Sequence, residues 1–247
     1  MVTRQSEKIR TMCKSITSIG IIGKGAFGTL ALSMVPSGVA RHTFGPEDNQ
    51  EQFLTVAHCD AILLAIPLSS YEDVLTRLKP HLHPATLLID VCSVKLGPAE
   101  IIARLLPEHK EVLLTHPLFG PETYSRSDGS ATLVVCSELT RKSKGFIGFC
   151  REQLSMNIVP MTPDAHDKEM ALVHAMTFFI ARGLREINLD HLVLETPSFR
   201  HIKQLAHLDR VHSQELFETI ELGNPYAAMA RKSLIANLIR TNNMLKE

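Results

Sequence analysis

Apolar and polar positions follow two regimes along the 247-residue chain. Through the first two thirds, short apolar runs rich in Ile, Val and Leu recur at Ile16 to Ile22, Val39 to Phe44, Ala61 to Ile66, Thr86 to Val91, Val112 to Thr115 and Thr132 to Cys136, and Asn157 to Met161 reads as a last strand. Helical spacing fills intervals at Ala26 to Met34, Asn49 to Ala57, Tyr71 to Leu78, Pro98 to Leu106 and Arg141 to Leu154. Alternating strands and helices predict an α/β fold with a doubly wound sheet. The runs Leu63, Leu64, Ile66 and Leu87, Leu88, Ile89 are nearly continuous, as strands buried on both faces require.

At Thr162 the pattern changes. Thr162 suits an N-cap and Pro163 the first helical position, and the rest reads as helix. Met170, Val173, His174, Thr177, Phe178, Ala181 and Leu184 fall at helical spacing, and Leu205, Leu208, Val211, Leu216, Ile220, Leu234 and Leu238 continue it. The expected division is therefore 1–161 for the sheet domain and 162–247 for an all-helical domain. Its surplus apolar faces point to a homodimer formed through the C-terminal helices; a tail folded only onto its own sheet domain is the plainer alternative.

Composition narrows the function. Lys plus Arg number 26 and Asp plus Glu also 26, so no net field favours nucleic acid or an anionic membrane, and a small-molecule substrate is expected. Cys13, Cys59, Cys92, Cys136 and Cys150 are odd in number and never spaced as CxxC, which favours reduced thiols over disulfides or a metal site. No apolar run reaches the roughly 18 residues of a membrane span, and Met1 to Lys14 is polar and mixed in charge. A soluble, cytoplasmic protein without metal is the expectation.

The sharpest local feature is Ser18 to Gly28, where an apolar run ends in Gly23, Gly25 and Gly28 and passes into a helical pattern. In a dinucleotide cradle the first glycine permits the tight turn, the second lets a pyrophosphate approach the backbone, and the third lets the helix lie close on the strand. Gly23, Lys24, Gly25, Ala26, Phe27 and Gly28 are thus candidate cofactor contacts of a Rossmann-type domain; a plain strand-to-helix turn is the bland alternative. In such sheets ligands sit beyond the carboxyl ends of the strands. There Ile66, Pro67 and Ser69 follow the third strand, Asp90, Ser93 and Lys95 the fourth, and His116 with Glu122 and Thr123 the fifth. His116 suits proton transfer because imidazole titrates near neutrality. Ser93 suits a hydrogen bond to a substrate hydroxyl or to His116, or simply a turn. Lys95 reads as a helix cap or solvated group, and Asp90 as a turn former. His81, His83, His109, His201, His207 and His212 read as surface histidines. The second strand ends in Phe44-Gly45 where NAD enzymes usually carry an acid. That tips the cofactor slightly toward NADP, with His42, Thr43 or Arg41 against its 2'-phosphate, while Glu47 or Asp48 remain available for NAD.

The succession GKGAFG, IDVCSVK, THPLFGPE and TPDAHDKEMALVHAMTFFIARGL resembles the prephenate and arogenate dehydrogenases of tyrosine biosynthesis, in order and spacing, from Ile16 into the last helices. The resemblance implies a catalytic histidine at His116 and a positioning serine at Ser93. It also implies substrate contacts from the helical domain at His166, His174 and Arg210, with Arg200 as a rival for the carboxylate clamp, and from Glu122 and Thr123. Two departures stand out: Glu122-Thr-Tyr-Ser125 replaces the family's usual S-G, and Phe178 replaces a second helix histidine. The implied reaction is oxidative decarboxylation with hydride transfer to NAD(P)+. About fourteen residues precede the first strand, too few for a fused chorismate mutase, and nothing after the helices reads as a regulatory ACT domain, so neither is expected. Alternatives are another Rossmann dehydrogenase with a helical dimerisation domain, of the β-hydroxyacid or pyrroline-carboxylate reductase kind, and a non-catalytic NADP-binding sensor.

Overall fold

The computed structural model describes residues 16–124, 131–187 and 189–245; Cys13, the polar stretch 1–14 and Ser125 lie outside them. Seven strands form one sheet: β1 Ser18–Ile22, β2 Ala40–Phe44, β3 Ala61–Leu64, β4 Leu87–Asp90, β5 Val112–Pro117, β6 Thr132–Val135 and β7 Asn157–Pro160. Their order is β2-β1-β3-β4-β5-β6-β7. Neighbours run parallel except β5 and β6, which pair antiparallel with His116 opposite Val134. Antiparallel neighbours need no crossover helix, and the sequence carries no helical pattern between them.

Helices α1 Ala26–Met34, α2 Gln50–Ala57, α3 Tyr71–Leu78, α4 Leu96–Leu105 and α5 Arg141–Gln153 cover the sheet. Phe53 and Val56 of α2, Tyr71, Leu75 and Leu78 of α3 and Ile102 of α4 pack with Ile62, Leu64, Leu88 and Leu114 on one face. Ala31 of α1 and Ile147 of α5 pack with Ile21, Leu63, Ile89 and Leu133 on the other. Side chains alternate along a strand, and both faces of β3 and β4 are fully buried, which explains their unbroken apolar sequence. Local capping fixes helix starts. Asn49 and Gln52 form a reciprocal capping box at α2, and Thr140 accepts from Ser143 N at α5.

The chain divides into two compact units, Met1–Pro163 and Asp164–Glu247. The second is helical: α6 Pro163–Met170, a π-helical turn Ala171–Ala175, α7 Met176–Arg185, α8 Pro197–Val211, α9 Gln214–Gly223 and α10 Ala227–Met244. Its small core gathers Ala175, Phe178, Ile220 and Ala227. No helix among the described residues is long and apolar enough to cross a membrane.

Candidate active site

β1 lies between β2 and β3, so the chain leaves it in one direction and returns on its other side. This reversal opens a crevice at the carboxyl ends of β1 and β3. The glycine turn occupies it. Gly23 has φ +111°, and a Cβ there would fall 2.1 Å from the Ala65 carbonyl oxygen. A Cβ on Gly28 would fall 1.9 Å from the Gly23 carbonyl oxygen. Both glycines are therefore demanded by the chain's own packing. Gly25 is different: a Cβ there meets nothing within 4 Å, so the chain's own packing does not demand a glycine at this position. α1 starts on Gly25 with no side-chain cap and no acidic residue in its first turn. Its first-turn N–H groups and dipole thus offer themselves to an anion. These features fit the pyrophosphate of a dinucleotide.

At the β2 exit the Lys24 ammonium is 2.5 Å from Asp48 Oδ2 and 3.1 Å from Glu47 Oε1. His42 and Thr43 lie earlier, inside β2, paired with Gly20 and Ile21 of β1. Arg41 is exposed, and Ile66 and Pro67 are half-buried after β3, followed by exposed Ser69 in the turn Leu68–Ser70.

The exits of β4 and β5 carry a buried polar network. Asp90 and Lys95 are each 0 % exposed and form an ion pair. Lys95 Nζ also donates to the Thr115 carbonyl at 2.5 Å, the Tyr71 hydroxyl donates to Asp90 Oδ1 at 2.5 Å, Cys92 N donates to the same oxygen at 3.0 Å, and Thr115 Oγ1 donates to the Asp90 carbonyl at 2.7 Å. Burial and the adjacent Asp90 carboxylate push the Tyr71 phenol well above its ordinary range. The reading of Lys95 as a solvated cap is corrected: Lys95 opens α4, but its side chain runs inward because the one carboxylate at the end of Leu-Leu-Ile-Asp is buried there, and Asp90 joins this ion pair to its turn-forming bond with Cys92 N. His116 is 4 % exposed at the carboxyl end of β5, on the Leu114 face by alternation and immediately after the tethered Thr115. Ser93 is half-buried in the β4–α4 turn. Both stand at the carboxyl edge of adjacent strands. Beyond β5, Glu122 and Thr123 are exposed, and the Thr123 hydroxyl accepts from Gly120 N at 3.0 Å. Phe119 contacts Tyr124 (centroids 5.0 Å) and Phe27 of the glycine turn (6.3 Å), joining this loop to the cradle. The sequence reading missed Tyr71, Phe119 and Tyr124. An aromatic within or flanking the HPLFGPE segment was the available signal.

The helical unit has its own cluster. His166 is 1 % exposed, with Nδ1 2.8 Å from Asp167 Oδ1, and the Asp167 carbonyl accepts from Asn224 Nδ2 at 2.8 Å. His174 lies in the π turn, its ring 4.8 Å from Phe178, which in turn lies 5.2 Å from His212. Burial, followed by repulsion from His212 and His166, pushes the His174 imidazole down to about 4. π turns inside α-helices frequently mark functional sites. Arg200 and Arg210 are both exposed on α8. Neighbouring Asp209 is buried and held by Arg182 (2.6 Å) and Arg185 (2.7 Å). Three histidines read as surface groups are not: His81 is half-buried and edge-on to Phe53 (centroids 6.3 Å), His109 is half-buried with Nε2 2.9 Å from the Thr86 carbonyl, and His212 packs on Phe178.

Residues 36–136 match the family model described as prephenate dehydrogenase, nucleotide-binding domain. Over 232 residues the chain is 28 % identical to arogenate dehydrogenase 1, chloroplastic, of Arabidopsis thaliana, covering 85 % of this chain and 36 % of that protein. The chain spans between about a third and a little over half the length of the curated relatives it matches. Among solved structures, prephenate dehydrogenase from Aquifex aeolicus, in complex with hydroxyphenyl propionate and NAD+, superposes with TM-score 0.70 at 17 % identity, covering 94 % of this chain and 91 % of that one. Synechocystis arogenate dehydrogenase gives TM-score 0.65 at 18 % identity, covering 93 % and 92 %. The fold is theirs, and over residues 36–136 the chain is similar to the nucleotide-binding domain of prephenate dehydrogenases.

Proposed function

We propose that the protein catalyses oxidative decarboxylation of prephenate or arogenate, giving 4-hydroxyphenylpyruvate or tyrosine. The observation that carries this reading is the buried His116 at the β5 exit of a sheet whose switch point holds a glycine cradle. Bound there, a nicotinamide dinucleotide supplies the hydride acceptor. The chain supplies everything else. Gly23, Gly25, Gly28 and the first-turn N–H groups of α1 hold the pyrophosphate, flanked by Lys24, Ala26 and Phe27. Ile66, Pro67 and Ser69 run along the ribose. His116 accepts the proton of the substrate's ring hydroxyl, an assistance worth about 10² to 10⁴ in rate. Ser93 orients that hydroxyl or the imidazole.

A substrate with two carboxylates requires a cation. Arg210 or Arg200 of the helical unit takes that role, and His166, His174, Glu122 and Thr123 are the further substrate contacts of this reading. Because burial holds His174 down at about 4, it is neutral at pH 7 and serves as a hydrogen-bonding group rather than a cation. Loss of carbon dioxide aromatises the ring and drives the reaction forward.

The reading includes a reducing compartment such as the cytosol, supported by buried free thiols at Cys59, Cys92, Cys136 and Cys150. It also includes a homodimer through the helical unit, supported by exposed Ile235, Leu238, Ile239 and Met244 on α10. Light scattering on the purified protein tests the dimer; a monomer mass at micromolar concentration refutes it. Purified protein incubated with prephenate or arogenate and NAD+ or NADP+ should generate reduced cofactor at 340 nm. His116→Asn should lower kcat by at least about 10² while changing cofactor affinity little. Equal losses in both make His116 structural, and no turnover with either substrate leaves the sensor or another dehydrogenase.

A further inference from the structure

We propose that Lys24 is the residue that selects the phosphorylated dinucleotide, and that Glu47 is an internal anion occupying the place of the 2'-phosphate. The inference rests on the dinucleotide cradle above and adds to it the identity of the selecting group. In a βαβ nucleotide fold the 2' substituent of the adenosine ribose lies at the end of the second strand. Here that end is Phe44-Gly45, where the glycine supplies no side chain. A Cβ on Gly45 would stand 2.8 Å and 3.0 Å from the two Glu47 carboxylate oxygens and 3.1 Å from Lys24 Cδ. The carboxylate and the lysine stem thus converge directly over the glycine. An anion is already seated at this corner, and a cation of the glycine turn holds it.

The two acids flanking Lys24 differ in how firmly they are bound. Asp48 is only 7 % exposed. Its Oδ2 accepts from Gly45 N at 2.8 Å and pairs with Lys24, and its Oδ1 accepts from Gln52 Nε2 at 3.0 Å. It is a fixed part of the turn, its oxygens committed, and it anchors the lysine in place. Glu47 is 62 % exposed at the side chain, and its side-chain link to Lys24 is a single contact of 3.1 Å. Exposed pairs of that kind are weak, so Glu47 leaves readily. An ammonium carries three donors, and a phosphate dianion binds it more strongly than a monoanionic carboxylate does. Bonds to Asp48 and then Glu47 hold the Lys24 ammonium above its usual range, so the charge is present throughout neutral pH. Arg77, the guanidinium on the same side of β2, is already engaged: it lies 3.9 Å over the Phe53 ring and 4.9 Å over the Phe44 ring and bonds Gln50 Oε1 at 2.5 Å. His42 and Thr43, inside β2, are displaced from this role.

The rival chemistry is that Glu47 accepts the two ribose hydroxyls of an unphosphorylated dinucleotide, with Lys24 merely aiming it. Isothermal titration of the full chain with 2',5'-ADP and with 5'-ADP separates the two without turnover. The native protein should bind 2',5'-ADP about tenfold or more tightly than 5'-ADP. Lys24→Met should abolish that preference, its loss of 2',5'-ADP affinity exceeding any loss of 5'-ADP affinity by about tenfold. Glu47→Gln should raise 2',5'-ADP affinity severalfold, because the internal competitor is gone. A native preference for 5'-ADP, a preference that survives Lys24→Met, or a Glu47→Gln variant that loses nucleotide binding overturns the inference and leaves the cradle standing. Binding of neither nucleotide overturns the cradle itself.

Discussion

Replacing Lys95 by Met tests whether the buried network under the β5 exit holds this corner of the sheet together. Asp90 and Lys95 are both fully buried, so the variant leaves a carboxylate in the core without its counter-charge. Removing one partner of such a pair typically costs about 3–5 kcal/mol. The Tyr71 hydroxyl and Cys92 N–H still reach Asp90 Oδ1 and offset part of this, whereas the Thr115 carbonyl loses its donor, which adds about 1–3 kcal/mol. A net loss of about 3–5 kcal/mol is expected, a large share of the 5–15 kcal/mol typical of a domain. Making the site neutral on both sides, with Asp90→Asn added to Lys95→Met, should return at least about half of it, because Asn keeps an acceptor for Tyr71 and leaves no orphaned charge. Urea unfolding followed by far-ultraviolet circular dichroism measures all four members of the cycle. If Lys95→Met costs under about 1 kcal/mol, or if the single costs simply add in the double variant, the network is not coupled as described. Because Lys95 grips the residue before His116, the single variant should also lower kcat while leaving the KM for the dinucleotide nearly unchanged.

The three glycines separate packing from recognition. Gly25→Ala should leave the melting temperature within a degree or two and weaken dinucleotide binding, whereas Gly23→Ala or Gly28→Ala should destabilise by about 3 kcal/mol through backbone collisions. Calorimetry with and without nucleotide distinguishes them, and equal behaviour of all three contradicts the assignment. His174 titrates at about 4 when folded and near 6.5 when unfolded. The unfolded chain therefore binds the extra proton first, and stability that is fully present above pH 6.5 declines toward pH 4 by about 3 kcal/mol. His174→Gln should flatten that slope in urea titrations between pH 7 and 4; an unchanged slope assigns it to other groups. Burial pushes Cys59 up to about 11 and Cys92 and Cys150 up to about 12, so these thiols should resist Ellman's reagent at pH 8 until denaturant is added. Prompt labelling of the native protein contradicts their burial.

Much of the sheet unit was legible because its signals are local. Unbroken Leu and Ile runs mark β3 and β4, Asn49 and Thr140 mark helix starts, and the spacing of Gly23, Gly25 and Gly28 marks a turn whose sterics any chain must obey. The antiparallel β6 was equally available, since no helical pattern separates it from β5, yet a run of parallel βα units invites continuation of the same rule. The π turn was hidden for another reason. A helix with about 4.4 residues per turn over Ala171–Ala175 changes which residues share a face, and the 3.6 spacing between His166 and His174 carries no mark of it.

What stayed illegible are pairings, because a charged residue's meaning depends on who faces it. Lys95 read alone is a surface lysine; only the fold brings the β4 carboxylate and the Thr115 carbonyl to its ammonium and makes it part of the interior. Arg182 and Arg185 stand in the last turn of α7, and only the fold puts Asp209 between them, 2.6 Å and 2.7 Å away. The same argument decides how the exposed arginines should be weighed. Arg182 and Arg185 are already committed to a buried acid, so drawing either toward a substrate carboxylate would strand Asp209 at the cost of an uncompensated buried charge. Arg200 and Arg210 stand exposed on the α8 that carries Asp209. Calling on one of these for the proposed clamp leaves both ion pairs of Asp209 in place.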